Sequence, residues 1–165
     1  MTFSNANLLL TLSDNLLFRL SNLNYPVDKD RITPSIFIAQ NTDIKRILTP
    51  DLYFKILADF KANTLTDDYL VIYEDYVSLM LVYFSVADFI SRNSIMVSNA
   101  GNLKNQPINS VVADYKETDR QSKYYRDLGA HFEREFYEYM KYKTNIPEYT
   151  RTSFDDESFN FGWIL

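Results

Sequence analysis

Residues Asp67–Ile90, DDYLVIYEDYVSLMLVYFSVADFI, form the most constraining stretch of this 165-residue chain: five carboxylates, no Lys or Arg, and apolar residues on nearly every side of a helical projection. Such a helix must be covered on most sides. Few other segments of the chain are long enough to cover it, so a second long helix, and neighbouring subunits, are the expected partners.

That second helix is readable downstream. From Ser110 onwards, Val111, Tyr115, Thr118, Ser122, Tyr125, Gly129, Phe132, Phe136 and Tyr139 recur at alternating steps of four and three, a heptad-like seam. Small Ser122 and Gly129 within it permit close approach by a partner helix. The pattern predicts a helix over 110–142, about 50 Å long at 1.5 Å per residue. Pro147 stops its continuation.

Between the two long helices, SIMVS reads as a strand, SNAGN as a turn with Gly101 free to take positive φ, and LKNQP as a return strand closed by Pro107. Upstream, Thr33-Pro34 and Thr49-Pro50 each place an N-cap residue before a first-turn proline. They predict helices over 34–48, with a break near Asn41, and over 50–62. Thr66 is placed to cap a helix over 67–91 whose acidic first turn suits the helix dipole. The expected fold class is mainly α, with two long helices, two or more short helices and a small β-hairpin at about 94–107. The division is an N-terminal arm over 1–32, a helical domain over 33–143, and an extended C-terminal arm over 144–165.

Composition narrows the chemistry. There is no Cys, which removes disulfides, thiol catalysis and thiolate metal sites. The net charge of -5 argues against wrapping nucleic acid. Only three Gly occur, at 101, 129 and 162, so neither glycine-rich phosphate loop can be written. The leucine-rich start lacks a preceding basic residue and a cleavage pattern, which argues against secretion. The apolar run Tyr76–Ala87 is about half of a bilayer span. His131 is the only histidine; Asp127 and Glu135 share its helix face, yet no motif supplies a nucleophile. Asp155, Asp156 and Glu157 lack calcium-loop spacing. The reading therefore assigns no catalytic residue, metal or cofactor. Lys116, Arg120 and Lys123, with Arg126 nearby, form a basic stripe suited to an acidic surface or a phosphate backbone, interleaved with acids that suit plain solvation.

The 13 Tyr and 12 Phe exceed ordinary usage; an aromatic core and interface use both fit them. Candidate subunit or partner contacts are Tyr125, Gly129, Phe132 and Phe136 of the seam, and Tyr149, Phe154, Phe159, Phe161, Trp163 and Leu165 of the C-terminal arm.

Four segments in order then carry a resemblance: IFIAQNTDIKRILTPDLYFKIL (36–57), LTDDYLVIYEDYVSLMLVYFSVADFI (65–90), VSNAGN (97–102) and HFEREFYEYMKYKTNIPEY (131–149). Together they are similar to the head–tail connector (adaptor or ring) proteins of tailed bacteriophages, especially of Bacteroidales and crAss-like phages. The similarity spans about residues 33–150; Ala100 stands where the family's turn commonly has Lys. The resemblance implies a non-enzymatic helical connector fold in the virion neck, assembled in the host cytoplasm. It implies a ring, commonly of twelve copies, that binds the portal protein and the next neck or tail component. DNA would pass through the channel without sequence-specific binding, and no membrane is involved. A second expectation, independent of the resemblance, is a cytoplasmic helical protein-binding module that acts as a regulator.

Overall fold

The computed structural model describes residues 8–9, 20–21, 29–93, 95–98, 101–104 and 115–149. The protein is mainly helical. Helix α1 begins at Lys29–Ala39, passes through a π-helical stretch Gln40–Ile44, and ends in the turn Lys45–Leu48. Thr33-Pro34 is thus not the start: Pro34 lies inside the helix, in its second turn, where it removes one backbone hydrogen bond. The expected break at Asn41 is instead a wider helical turn. In that register Lys45 donates its N–H to the Gln40 carbonyl. Asn41 Nδ2 and Thr42 Oγ1 donate to the carbonyls of Phe37 and Ile38, at 2.8 and 2.9 Å, so polar side chains serve the carbonyls that a π register displaces.

Helix α2 spans Pro50–Ala62, with the limits its proline and Asn63 predict; Asn63 closes it in the left-handed conformation at φ 54°. Neither threonine caps with its side chain. Thr49 sits at φ 68° and ψ 154°, a strained state for a β-branched residue. Its carbonyl accepts the Tyr53 N–H at 3.0 Å. Thr66 is extended, and Asp67 takes the strain of the helix start at φ 51°.

Helix α3, Asp67–Asn93, is α-helical except for the π-helical Ile72–Val77. By length and composition alone it could cross a membrane, since the helix extends well beyond the Tyr76–Ala87 run. More than half of its most apolar window is buried inside the protein. Strands β1 (Ile95–Ser98) and β2 (Gly101–Lys104) pair antiparallel, Ile95 opposite Lys104 and Ser98 opposite Gly101. Helix α4 spans Tyr115–Lys141, about 40 Å at 1.5 Å per residue; the expected first residues 110–114 lie outside the described residues.

Helices α3 and α4 are antiparallel. Ser122 Oγ donates to the Ala87 carbonyl at 2.9 Å, Tyr83 stacks between Tyr125 and Phe132 at 6.3 and 5.6 Å, and Tyr76 meets Phe136 and Tyr139 at 6.1 and 5.2 Å. Helix α1 covers another side of α3. The core unites Ile32, Ile36, Ile44, Leu48, Leu52 and Ile56 with Met80, Leu81, Val86 and Phe136. Each such side chain is worth roughly 1.5–3 kcal/mol of burial.

Candidate functional site

The aromatic seam is satisfied within the chain. Tyr125, Gly129 and Phe136 are buried, and Phe132 and Tyr149 are half-buried. Tyr149 meets Phe136 edge-on at 5.6 Å. A Cβ built on Gly129 would stand 2.5 Å from the Phe84 ring, so any larger residue there must displace a buried aromatic. The small residue in the seam serves the α3–α4 contact. Phe154, Phe159, Phe161, Trp163 and Leu165 lie outside the described residues, as do Asp155, Asp156 and Glu157.

The surface carries aromatics that periodicity did not select. Phe37 is 40% exposed, Phe54 55%, Tyr124 57% and Tyr142 84%. Tyr124 falls between seam positions, and Phe37 and Phe54 lie on the outer sides of α1 and α2; the available signal was their offset from the apolar stripe. Lys116, Arg120 and Lys123 are exposed on α4. Arg126 leaves that stripe: it pairs with Asp43 at 3.7 Å and lies over the Phe84 ring at 5.8 Å. His131 is exposed, edge-on to Phe132. Arg46 forks onto Glu133 at 2.9 and 3.2 Å, tying the end of α1 to α4, and Glu133 also accepts the Tyr137 hydroxyl. Burial, with Glu133 second, pushes Tyr137 up.

Two fastenings join the ends of the described chain to the helices. At the N-terminal one, Leu8 and Leu9 are buried. The Leu9 N–H donates to Gln40 Oε1 at 2.7 Å, and Tyr73 donates its hydroxyl to the Leu9 carbonyl at 2.7 Å. Gln40 Nε2 donates in turn to the Tyr53 hydroxyl at 2.8 Å. Gln40 opens the π-helical stretch of α1 and Tyr73 lies within that of α3, a helical variant enriched at functional sites. One residue is thereby held through both of its main-chain groups.

The C-terminal fastening is ionic. Asp68, in the first turn of α3, accepts from Tyr139 at 3.1 Å, from Lys143 at 2.6 Å and from Asn145. These bonds, Lys143 first, draw the Asp68 carboxyl down to about 2, and the Asp68 bond raises Lys143. Tyr69 donates to Glu148 at 2.7 Å; that bond, followed by burial, pushes the phenol up to about 12. Thr49 donates to the Glu148 carbonyl at 3.3 Å. Residues 142–149 thus lie along the chain's own α2–α3 corner, with Ile146 buried, rather than leaving the body at Lys141.

A family model described as a family of unknown function (DUF6712) matches residues 44–156. The chain belongs to that family. The DUF6712 match takes in α2, α3, the β-ladder, α4 and every residue of the ionic fastening, whereas Leu9 and Gln40 precede it. No curated protein and no solved structure matches the chain.

Proposed function

We propose that this chain is a structural subunit of a phage neck, forming a homo-oligomeric ring that joins the portal to the tail and continues the DNA channel. The observation that carries the reading is the ordered similarity of residues 36–57, 65–90, 97–102 and 131–149 to connector proteins. In the fold these segments are α1 with α2, α3, the β-ladder and the end of α4, which on this reading form the helical connector fold with its small hairpin. The exposed rings of Phe37, Phe54, Tyr124 and Tyr142 support it, because aromatic side chains are enriched where subunits meet. Lys116, Arg120 and Lys123 supply the face toward an acidic partner or passing DNA. The surplus of carboxylates suits a channel wall that repels phosphate and lets DNA slide. The role needs no catalytic residue, metal or cofactor.

The deciding measurement is absolute mass by light scattering, for the chain alone and after mixing with the portal protein of the same source. A mass of many copies, or a portal peak shifted by many copies, is expected. A persistent monomer that ignores the portal would overturn the ring and favour a regulatory module that binds one protein partner.

A further inference from the structure

Gln40 and Tyr73 treat Leu9 as a peptide rather than as a side chain. Gln40 Oε1 takes its N–H and the Tyr73 hydroxyl supplies its carbonyl. A strand edge offers an incoming chain the same pair of bonds, here provided by side chains of two different helices. Gln40 is itself buried and fixed by Tyr53, so its acceptor is already aimed before the segment arrives. Preorganisation of that kind lowers the cost of docking. The Leu9 side chain is fully buried and Leu8 nearly so, which gives the clamp an apolar pocket beside its two polar contacts.

Every one of these contacts is made by residues 8 and 9, and none depends on how they are tethered. Twenty residue steps separate Leu9 from Lys29, where α1 begins. Leu20, partway along that tether, is half-buried against the core, and the eleven residue steps from Leu9 to that anchor reach up to about 40 Å when extended, roughly the length of α4. A neighbouring copy's segment can therefore reach the same clamp.

We propose that the Gln40–Tyr73 clamp is a peptide-binding site whose occupant is the Leu8–Leu9 segment of a second copy of this chain, so that arms exchange between copies. In an isolated chain the tether keeps its own segment at high effective concentration and the clamp closes in cis. Where copies stand side by side, a neighbour's segment competes on equal terms. The clamp holds whether or not the assembly is a ring, and its test reads one amide rather than a mass.

The experiment uses the wild-type full chain, labelled with 15N, and follows hydrogen exchange at the Leu9 amide. A synthetic peptide of residues 5–13, NANLLLTLS, stands in for the second copy. The expected result is at least 100-fold protection of the Leu9 amide in the chain alone, stripped at least tenfold by millimolar peptide. The same peptide N-methylated at Leu9 should leave protection intact, because it cannot donate to Gln40. An unprotected Leu9 amide would overturn the clamp. Protection that millimolar peptide does not disturb would overturn the exchange and make Leu8–Leu9 a fixed part of the core. Equal stripping by the methylated peptide would show that Gln40 does not read the main chain, and would overturn the recognition argument.

Discussion

Leu9 is held by two main-chain hydrogen bonds, to buried Gln40 and half-buried Tyr73, and by an apolar pocket. Asp68 sits at the surface, where three donors from the end of α4 and the residues beyond it converge on one carboxylate. The first fastening draws on burial and on neutral hydrogen bonds, which salt and acid leave alone. The second depends on a charge, which both can weaken. A chain fastened in these two ways can lose one end without losing the other, and conditions select which.

The largest expected effect comes from breaking the buried fastening. Leu9→Asp puts a charge where a fully buried apolar side chain sits, so the segment must undock and its burial is forfeited. The expected loss is about 3 kcal/mol, the scale of two leucine side chains offset by the regained freedom of the segment. Urea unfolding followed by circular dichroism measures it. A loss within about 0.5 kcal/mol would mean that Leu8–Leu9 contributes no cohesion. Gln40→Leu comes next: it keeps the pocket apolar but strands the Leu9 N–H and the Tyr53 hydroxyl, at a cost of about 2 kcal/mol. The two variants should not add, because once Leu9→Asp has undocked the segment the Gln40 contact to it is already lost; additive losses would separate Gln40 from Leu9.

The contrast also explains what the sequence could reveal. Helix α3, helix α4 and their mutual packing were readable because apolar periodicity reports directly which face a helix buries, and the Ser122–Gly129 spacing marked the close approach. Helix α2 was readable to the residue, from Pro50 at one end and Asn63 at the other. Local signals misled where tertiary structure overrode them. Thr33-Pro34 looked like a helix start, yet α1 begins at Lys29 and carries the proline. Thr49 and Thr66 looked like caps, yet the hydroxyl of Thr49 turns to Glu148, ninety-nine residues away. The fastenings themselves were nearly invisible. Gln40, Tyr73, Asp68 and Lys143 belong to no motif; their partners lie between 13 and 77 residues distant, and only the folded chain brings them together. The seam residues were legible as a buried stripe, but the choice between α3 and a neighbouring subunit as their cover was not, because periodicity marks a covered face without saying what covers it.

Tyr69→Phe tests the C-terminal fastening at one bond. It removes the hydroxyl that meets Glu148 and leaves the ring in place, so the expected cost is about 1 kcal/mol. Hydrogen exchange in residues 142–149 should quicken while Leu9 stays protected. Equal quickening at Leu9 would show that the two fastenings are one cooperative unit rather than two.

The smallest and most specific effect is in acid. The Asp68 carboxyl is drawn from an ordinary 3.8 to about 2 by Lys143, Asn145 and Tyr139. A group depressed in this way stabilises the fold fully above the unfolded value, and the contribution fades as pH falls from about 4 towards 2, when the folded carboxyl takes up its proton. Lys143 is shifted in the opposite sense, upward through its bond to Asp68; its contribution is therefore complete below the ordinary lysine value and fades only in strong alkali. Between those limits the pair predicts a plateau. In Asp68→Asn the thermal midpoint should fall less steeply than in the wild type between pH 4 and pH 2, and added salt should change it less. Parallel acid slopes for the two proteins would show that Asp68 is not held as a charge. The Leu9 fastening, holding no group that ionises in acid, should keep its amide protected through the same range for as long as the helices persist.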